Sequence, residues 1–358
     1  MNITEKIQYP APEQHYKVLV SCFTYNHSKY IEDALNGFAI QQTNFPFVCH
    51  IMDDASTDGT QDVIKKWMEK ECDMDNAQRI DISTSDVVIT HHKINKSCTF
   101  AFYLLKQNLY GTGDKKMNHV YPWREKCLYE ATCEGDDYWI DPLKLQLQVD
   151  FLDSHPDYSF CCHRFNIYEQ NTNRWLKEYA FNYYVDGRDL EITRDLYVSV
   201  WVTQPLTLMS RISARNEIRK DLRMYKSCRD VHLFYYLLKT GKGISLNRNM
   251  GVYRWHNGGI ASNTSGEVRY KTAYNIYKEL MMTTGDPIFR RSFVKNTIRL
   301  IRYKALSKES IEILKEVWSY SHGIKEKMNI LVSFFTPLLV INLISSIYRS
   351  HYLSKQVI

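Results

Sequence analysis

No CxxC pair occurs in this chain of 358 residues, and its nine cysteines show no regular pairing, so neither a zinc site nor a disulfide framework is indicated and a reducing cytosol fits. The adjacent Cys161, Cys162 and His163 read as strand residues and not as ligands. No GxGxxG is present, which excludes a dinucleotide-binding dehydrogenase. The segment after the first apolar run, FTYNHS, contains neither glycine nor lysine, so the phosphate loop that usually announces nucleotidyl transfer is missing too. The opening MNITEKIQYPAPEQHYK lacks the apolar stretch of a signal peptide, and a cytoplasmic start is expected. Internal repeats and low-complexity segments are absent.

What is present describes a globular protein. With 44% hydrophobic and 13% aromatic residues the chain can bury one large or two moderate cores. Lys and Arg exceed Asp and Glu by 46 to 40, yet from Arg290 onward the count is 12 to 4, so that the tail carries +8 and the rest −2. The basic excess is local. A tail of this kind can meet phosphate on nucleic acid or on lipid, or simply solvate a helix, the last being the commonest case.

Tyr16 to Phe23 reads as a buried strand, followed by a polar turn and a helix with Tyr30, Ile31, Leu35 and Phe38 on one face. A second apolar run, Phe45 to Met52, ends at DDASTDGT, after which TQDVIKKWM resumes helical spacing. This alternation predicts a parallel sheet with ligands at the carboxyl ends of its strands, where FTYN and DDAST both fall. RIDISTSDVVIT is further strand material, and Asn108 to Pro122 reads as a surface loop. Asp141 and Pro142 resemble a helix start, residues Tyr158 to Trp175 alternate like strand, and Asp230 to Lys239 reads as a helix ended by Gly241. Beyond a boundary near Gly266 the pattern is helical, with Asp286 and Pro287 opening a further capped helix.

The stretch CEGDDYWIDPLKLQLQVDFL crowds Glu134, Asp136 and Asp137 together. Carboxylates so close would repel and raise one another's pKa, a cost that makes sense if they share a hard cation such as Mg²⁺ or Mn²⁺ with substrate phosphates. A solvated acidic turn at the start of a helix is the bland alternative.

VLVSCFTYNHSKYIEDAL, IMDDASTDGT, CEGDDYWIDPLKLQLQVDFL and VYRWHNGGI occur in the order and approximate spacing of family 2 type inverting glycosyltransferases, and the chain resembles that family over about residues 16 to 262. The resemblance implies an α/β GT-A fold, a Rossmann-like mixed sheet flanked by helices, with a C-terminal helical extension outside the family pattern. It divides the chain into a catalytic domain, 1–265, and a helical region, 266–358. Within the first, about 16–130 would form the nucleotide-binding half and 131–265 the metal and acceptor half. The implied reaction is metal-dependent transfer of a sugar from a nucleotide diphosphate sugar, a UDP-sugar by preference, to a hydroxyl of a glycan or lipid-linked glycan, in bacterial surface polysaccharide or lipopolysaccharide assembly.

Carried onto this sequence, Phe23 and Tyr25 cup the base, and Asp54 accepts the uracil N3–H while Asp53 opens the next helix. Asp136 and Asp137 hold Mn²⁺ or Mg²⁺, ahead of Glu134, where many relatives have Asp. Asp230 is the candidate general base, with Arg229 beside it able to lower its pKa. Arg254 and His256, before a glycine pair, would close over the diphosphate, His256 also as a metal ligand. His91, His92 and Lys93 are read as solvated and left out of the site. Nucleotidyl transfer and a non-catalytic nucleotide-sugar-binding module are the alternatives, and nucleic acid is not an expected partner. Ile330 to Tyr348 holds 19 residues without a charge; Pro337 interrupts it and polar residues share one face beyond, which suggests a peripheral anchor on the inner face of the cell membrane and not a span.

Overall fold

The computed structural model describes residues 12, 14–110, 116–225, 228–259, 265–303 and 308–335. Its strands are β1 (Tyr16–Thr24), β2 (Phe47–Asp53), β3 (Gln78–Ile82), β4 (Ser85–His91), β5 (Cys98–Leu105), β6 (Cys127–Thr132), β7 (Tyr138–Trp139), β8 (Tyr158–Glu169), β9 (Arg174–Lys177), β10 (Leu190–Ile192), β11 (Met209–Arg211) and β12 (Lys242–Trp255). The helices are α1 (Ile31–Ala39), α2 (Thr60–Glu71), α3 (Met117–Arg124), α4 (Lys144–Ser154), α5 (Arg194–Val200), α6 (Ile212–Glu217), α7 (Arg219–Leu222), α8 (Asp230–Thr240), α9 (Gly266–Thr284), α10 (Ile288–Tyr303), α11 (Lys308–Tyr320) and α12 (Gly323–Phe335).

The chain separates into two units. The first comprises residues up to Ile167, Glu178–Thr193 and Val202–Arg254; the second comprises Tyr168–Lys177, Arg194–Trp201 and the chain from Trp255. The first unit is built on one mixed sheet in the order β10-β12-β8-β11-β6-β1-β2-β5-β4-β3. Strands β6, β1, β2 and β5 run parallel, in a register that sets Thr24 beside Asp53 and Asp53 beside Leu104. Their continuous apolar sequences suit this position, since a parallel sheet covered on both faces has no solvent side. Val18, Leu19, Val20, Phe47, Val48, Phe100 and Phe102 are wholly buried. Each such side chain contributes roughly 1.5–3 kcal/mol.

Helix α1 buries Ile31, Ala34, Leu35 and Phe38, the face its spacing predicted. The first connection carries the chain from β1 to β2 on one side, and β6 adds on the other side of β1. Order therefore reverses at β1, which opens a crevice at the carboxyl ends of β1 and β6.

Two local expectations change. Asn108 to Pro122 is not all loop: α3 begins at Met117 and contains Pro122. Trp123, wholly buried, donates to the Tyr103 hydroxyl at 2.7 Å, so packing on the sheet outweighs the proline. Asp141 does not start its helix directly; its carboxylate accepts from Leu143 N–H at 2.9 Å and pairs with Arg248, and α4 follows from Lys144.

In the second unit, α9 to α12 and α5 are amphipathic helices with Phe289, Phe293, Leu300, Val317 and Ile330 inside. Ser265 caps α9 through Val268 N–H, and Asp286 accepts from Ile288 N–H at 3.0 Å, as the Asp-Pro pair predicted. Of the anticipated anchor, residues 330–335 end α12 and residues 336–348 lie outside the described residues. Among the described residues no helix is long and apolar enough to cross a membrane.

Candidate active site

The acidic loop is fastened to the end of β1 by backbone hydrogen bonds, Cys133 N–H to Ser21 O at 3.2 Å and Gly135 N–H to Phe23 O at 3.0 Å. Gly135 is required by close approach, because a Cβ there would lie 2.5 Å from Thr24 Oγ1 and 2.6 Å from Thr24 Cβ. The loop thus presents Glu134, Asp136 and Asp137 beside the FTYN segment. Asp137 is buried, and its Oδ1 accepts from Arg254 N–H at 2.8 Å. Burial first, then the neighbouring Asp136 charge, holds the Asp137 carboxyl well above the usual carboxylate range. Desolvation inside the pocket, with Asp136 and Asp230 nearby, pushes Glu134 up to about 8. Asp136 Oδ2 lies 3.6 Å from His27 Nε2. His27 comes from the loop after β1, where its Nδ1 is 3.1 Å from Thr24 Oγ1 and its backbone N–H donates to Thr60 Oγ1. An oxygen and an imidazole nitrogen side by side, amid crowded carboxylates, form a donor set able to hold a divalent metal ion.

Arg254 departs from its expected place. It sits in β12, 6% exposed, and donates to the Asp136 carbonyl at 3.0 Å and to Asp33 Oδ2 at 2.6 Å, with its guanidinium 4.8 Å from both the Tyr30 and Tyr138 rings. A guanidinium so enclosed holds the acidic loop in position and is not a mobile clamp. His256 follows in the second unit, where its Nδ1 accepts from Gly258 N–H at 3.2 Å; its ligand role rests on the sequence motif.

Tyr25 is 43% exposed at the end of β1, and Phe23 is half-buried. Asp54 is buried, with Oδ1 accepting from Leu109 N–H at 2.7 Å and Oδ2 paired with Lys116 at 2.6 Å. Asp53 is equally engaged, by Ser56 and Gln61. Asp54 therefore ties β2 to the segment before α3, a role the sequence did not reveal.

Asp230 is the first residue of α8, and the cap is made elsewhere: His232 Nδ1 accepts from Arg229 N–H at 3.0 Å. The carboxylate is not spent on capping. Burial raises its pKa, and the nearby Arg229 only partly offsets this. Asp230 and Glu134 line one cavity of about 550 Å³ together with Phe23, Cys133 and Leu233. Its floor holds a group no motif marked. Glu130 on β6 is buried between Arg124 Nη2 at 2.6 Å and Arg215 Nε at 3.2 Å, and also accepts from Ser21 Oγ at 2.9 Å. No local pattern marks it, because alternation in CLYEAT puts Glu130 on the strand face of Leu128, which is 58% exposed. His91, His92 and Lys93 do not line this cavity, but the expectation that they are simply solvated is corrected: His92 is buried, its Nδ1 accepting from Asn95 N–H at 2.9 Å, and Lys93 Nζ donates to the Glu69 and Lys70 carbonyls at 2.9 and 2.7 Å.

No protein-family profile matches the chain. Over 239 residues it is 30% identical to the uncharacterized protein Rv1520 of Mycobacterium tuberculosis and to its counterpart Mb1547 of Mycobacterium bovis, a match covering 66% of this chain and 58% of each relative. The matched stretch is thus less than two thirds of those relatives' length. Among solved structures the chain is similar to Staphylococcus aureus TarS 1–349 in complex with UDP-GlcNAc, at 18% identity and a TM-score of 0.52, covering 89% of this chain and 80% of that one. It is also similar to the mannosyltransferase PcManGT of Pyrobaculum calidifontis in complex with GDP-Man and Mn²⁺, at 14% identity and a TM-score of 0.50, covering 96% and 84%. At such identities these likenesses show the fold, and the chain has the GT-A fold of glycosyltransferases.

Proposed function

We propose that this GT-A chain is an inverting glycosyltransferase that takes a sugar from a nucleotide diphosphate donor to a hydroxyl acceptor. One observation carries the reading: Glu134 of the acidic loop and Asp230 at the start of α8 line the same cavity, at the carboxyl end of β1 and β6. The solved relatives with UDP-GlcNAc and with GDP-Man support a nucleotide-sugar donor.

Phe23 and Tyr25 offer faces and edges to a base, and Asp54 enters on its motif, where a uracil N3–H would share Oδ1 with Leu109 N–H. Asp136, Asp137 and His27 are the residues that would hold Mn²⁺ or Mg²⁺, with His256 added by its motif; the bound ion would offset charge on the departing diphosphate. Arg254 keeps Asp136 and Asp137 aimed. Asp230, its pKa raised by burial, accepts the proton of the attacking hydroxyl as oxygen bonds to the anomeric carbon from the face opposite the leaving diphosphate. That displacement inverts the centre. A glycan or lipid-linked glycan is the acceptor class in this reading, within surface polysaccharide assembly.

A membrane-side location accompanies it. Ile324, Met328 and Val332, one turn apart on α12, are exposed at 82%, 51% and 57%, and Arg291 and Lys295 are exposed on α10. Apolar and basic groups together suit an anionic lipid surface.

The test is turnover of a panel of nucleotide sugars with Mn²⁺. Release of nucleoside diphosphate should vanish with EDTA and in Asp136→Asn, and Asp230→Asn should lower turnover at least about 100-fold while donor binding changes little. Turnover that survives EDTA removes the cation from the mechanism, and full turnover in Asp230→Asn removes the base.

A further inference from the structure

The cavity that Asp230 enters carries more positive charge than its own carboxylates explain. Arg124 and Arg215 are 6% and 8% exposed, and both are directed at the single carboxylate of Glu130. After Glu130, Ser21 and Ser210 have taken their hydrogen bonds, Arg124 Nε and Arg215 Nη2 remain buried without a partner, as does Nε of the half-buried Arg219. Arg219 lies over the Tyr121 ring at 3.7 Å, and Arg124 lies 5.4 Å from the same ring, so two guanidiniums share one aromatic neighbour. All three arginines line the cavity. A charged group's N–H left buried and unpaired carries its full desolvation cost, and a structural ion pair has no need of a second and third cation. Loss of hydration in this crowd pulls the Arg215 guanidinium down to about 10, which still leaves it charged at neutral pH.

We propose that this floor is an anion subsite for a phosphate group of the acceptor, held by Arg124, Arg215 and Arg219 while the acceptor hydroxyl reaches Asp230. The geometry favours phosphate over carboxylate. A planar carboxylate is matched by the fork of one arginine, whereas the donors here come singly from three side chains, which suits the oxygens of a tetrahedral group. Met117, Ile218 and Leu222 on the same wall leave room for an apolar neighbour of that phosphate. The acceptor would therefore be a phosphorylated alcohol, from either a soluble phosphoglycan or a lipid phosphate. As a statement about the acceptor this rests on the glycosyl-transfer reading; as a binding site it does not.

The experiment titrates the full chain, labelled with ¹⁵N in arginine, with sn-glycerol 3-phosphate and separately with octyl phosphate, following Nε–H resonances; the resonance missing in Arg219→Gln identifies Arg219. Saturable shifts of that resonance are expected with at least one probe, and glucuronate should bind at least tenfold more weakly. Binding should fall at least tenfold in Arg219→Gln, whose side chain holds no buried ion pair, and in Arg215→Gln if that variant melts as a folded protein. Glycerol phosphate binding supports the site with a soluble source, and octyl phosphate binding alone supports it with a lipid source. No saturable shift with either, equal binding of glucuronate, or unchanged affinity in Arg219→Gln overturns the subsite. Donor turnover is measured in parallel: turnover without phosphate binding defeats only this inference, and phosphate binding without turnover defeats only the enzymatic reading.

Discussion

Glu130 illustrates what one residue decides. Burial by itself raises its carboxyl, but the Arg124 and Arg215 guanidiniums more than reverse this and bring it to about 2, against about 4.3 in an unfolded chain. The folded state then binds fewer protons than the unfolded one, so this group's stabilisation is complete above about pH 4.3 and is lost as the pH falls from there through 2. The amount is about 3 kcal/mol, from a shift of roughly two units. Urea unfolding at pH 7 and pH 3 should show about half of that loss in the wild type, since at pH 3 the folded carboxyl is still mostly ionised. Glu130→Gln should be less stable at pH 7 by about 3–5 kcal/mol, because two buried guanidiniums lose the carboxylate they share, and its stability should change less between the two pH values. An unaltered pH dependence in Glu130→Gln would show that another carboxylate governs acid unfolding.

At the scale of elements, the decisive contact is the loop after β6 lying against the end of β1. Gly135 permits it, since Thr24 Cβ cannot rotate away from an added methyl. Gly135→Ala should cost about 1–3 kcal/mol as overpacking and should displace Asp136 and Asp137 from the FTYN segment. Calorimetric titration with Mn²⁺ and nucleoside diphosphate should show at least tenfold weaker binding; an unchanged affinity would mean that the loop finds its place without this contact. Much at this scale was legible. The strand and helix of β1–α1 follow from local period, and DDAST and EGDD fall after strands because polar, turn-forming residues stop an apolar run. α3 was not legible, because Pro122 reads as a breaker until Trp123 is seen packed under Tyr103.

For the whole molecule, the two units differ in kind: a mixed sheet with a deep cavity, and a set of helices with an exposed apolar row on α12 beside cations on α10. The full chain should sediment with vesicles containing phosphatidylglycerol at low salt, less so as salt screens the basic residues. Replacing Ile324, Met328 and Val332 together by serine, or removing residues 336–358, should reduce the bound fraction severalfold while donor turnover in solution persists. If the intact chain stays in the supernatant with anionic vesicles at low salt, the membrane-side location is wrong.

The sequence by itself determined the α/β alternation, the crevice at the carboxyl ends of the strands and the candidate carboxylates, because these depend on periodicity and on residues within one loop. Only the tertiary structure decided what each charged group meets. Arg254 reaches Asp33 across 221 positions, Lys116 closes on Asp54, and Arg215 joins Arg124 on Glu130. Such partners come together through strand order, and no local pattern encodes strand order. A buried charge is held by the neighbour that neutralises it, so the role of each arginine, clamp, brace or anion site, was set by packing and not by its place in a motif.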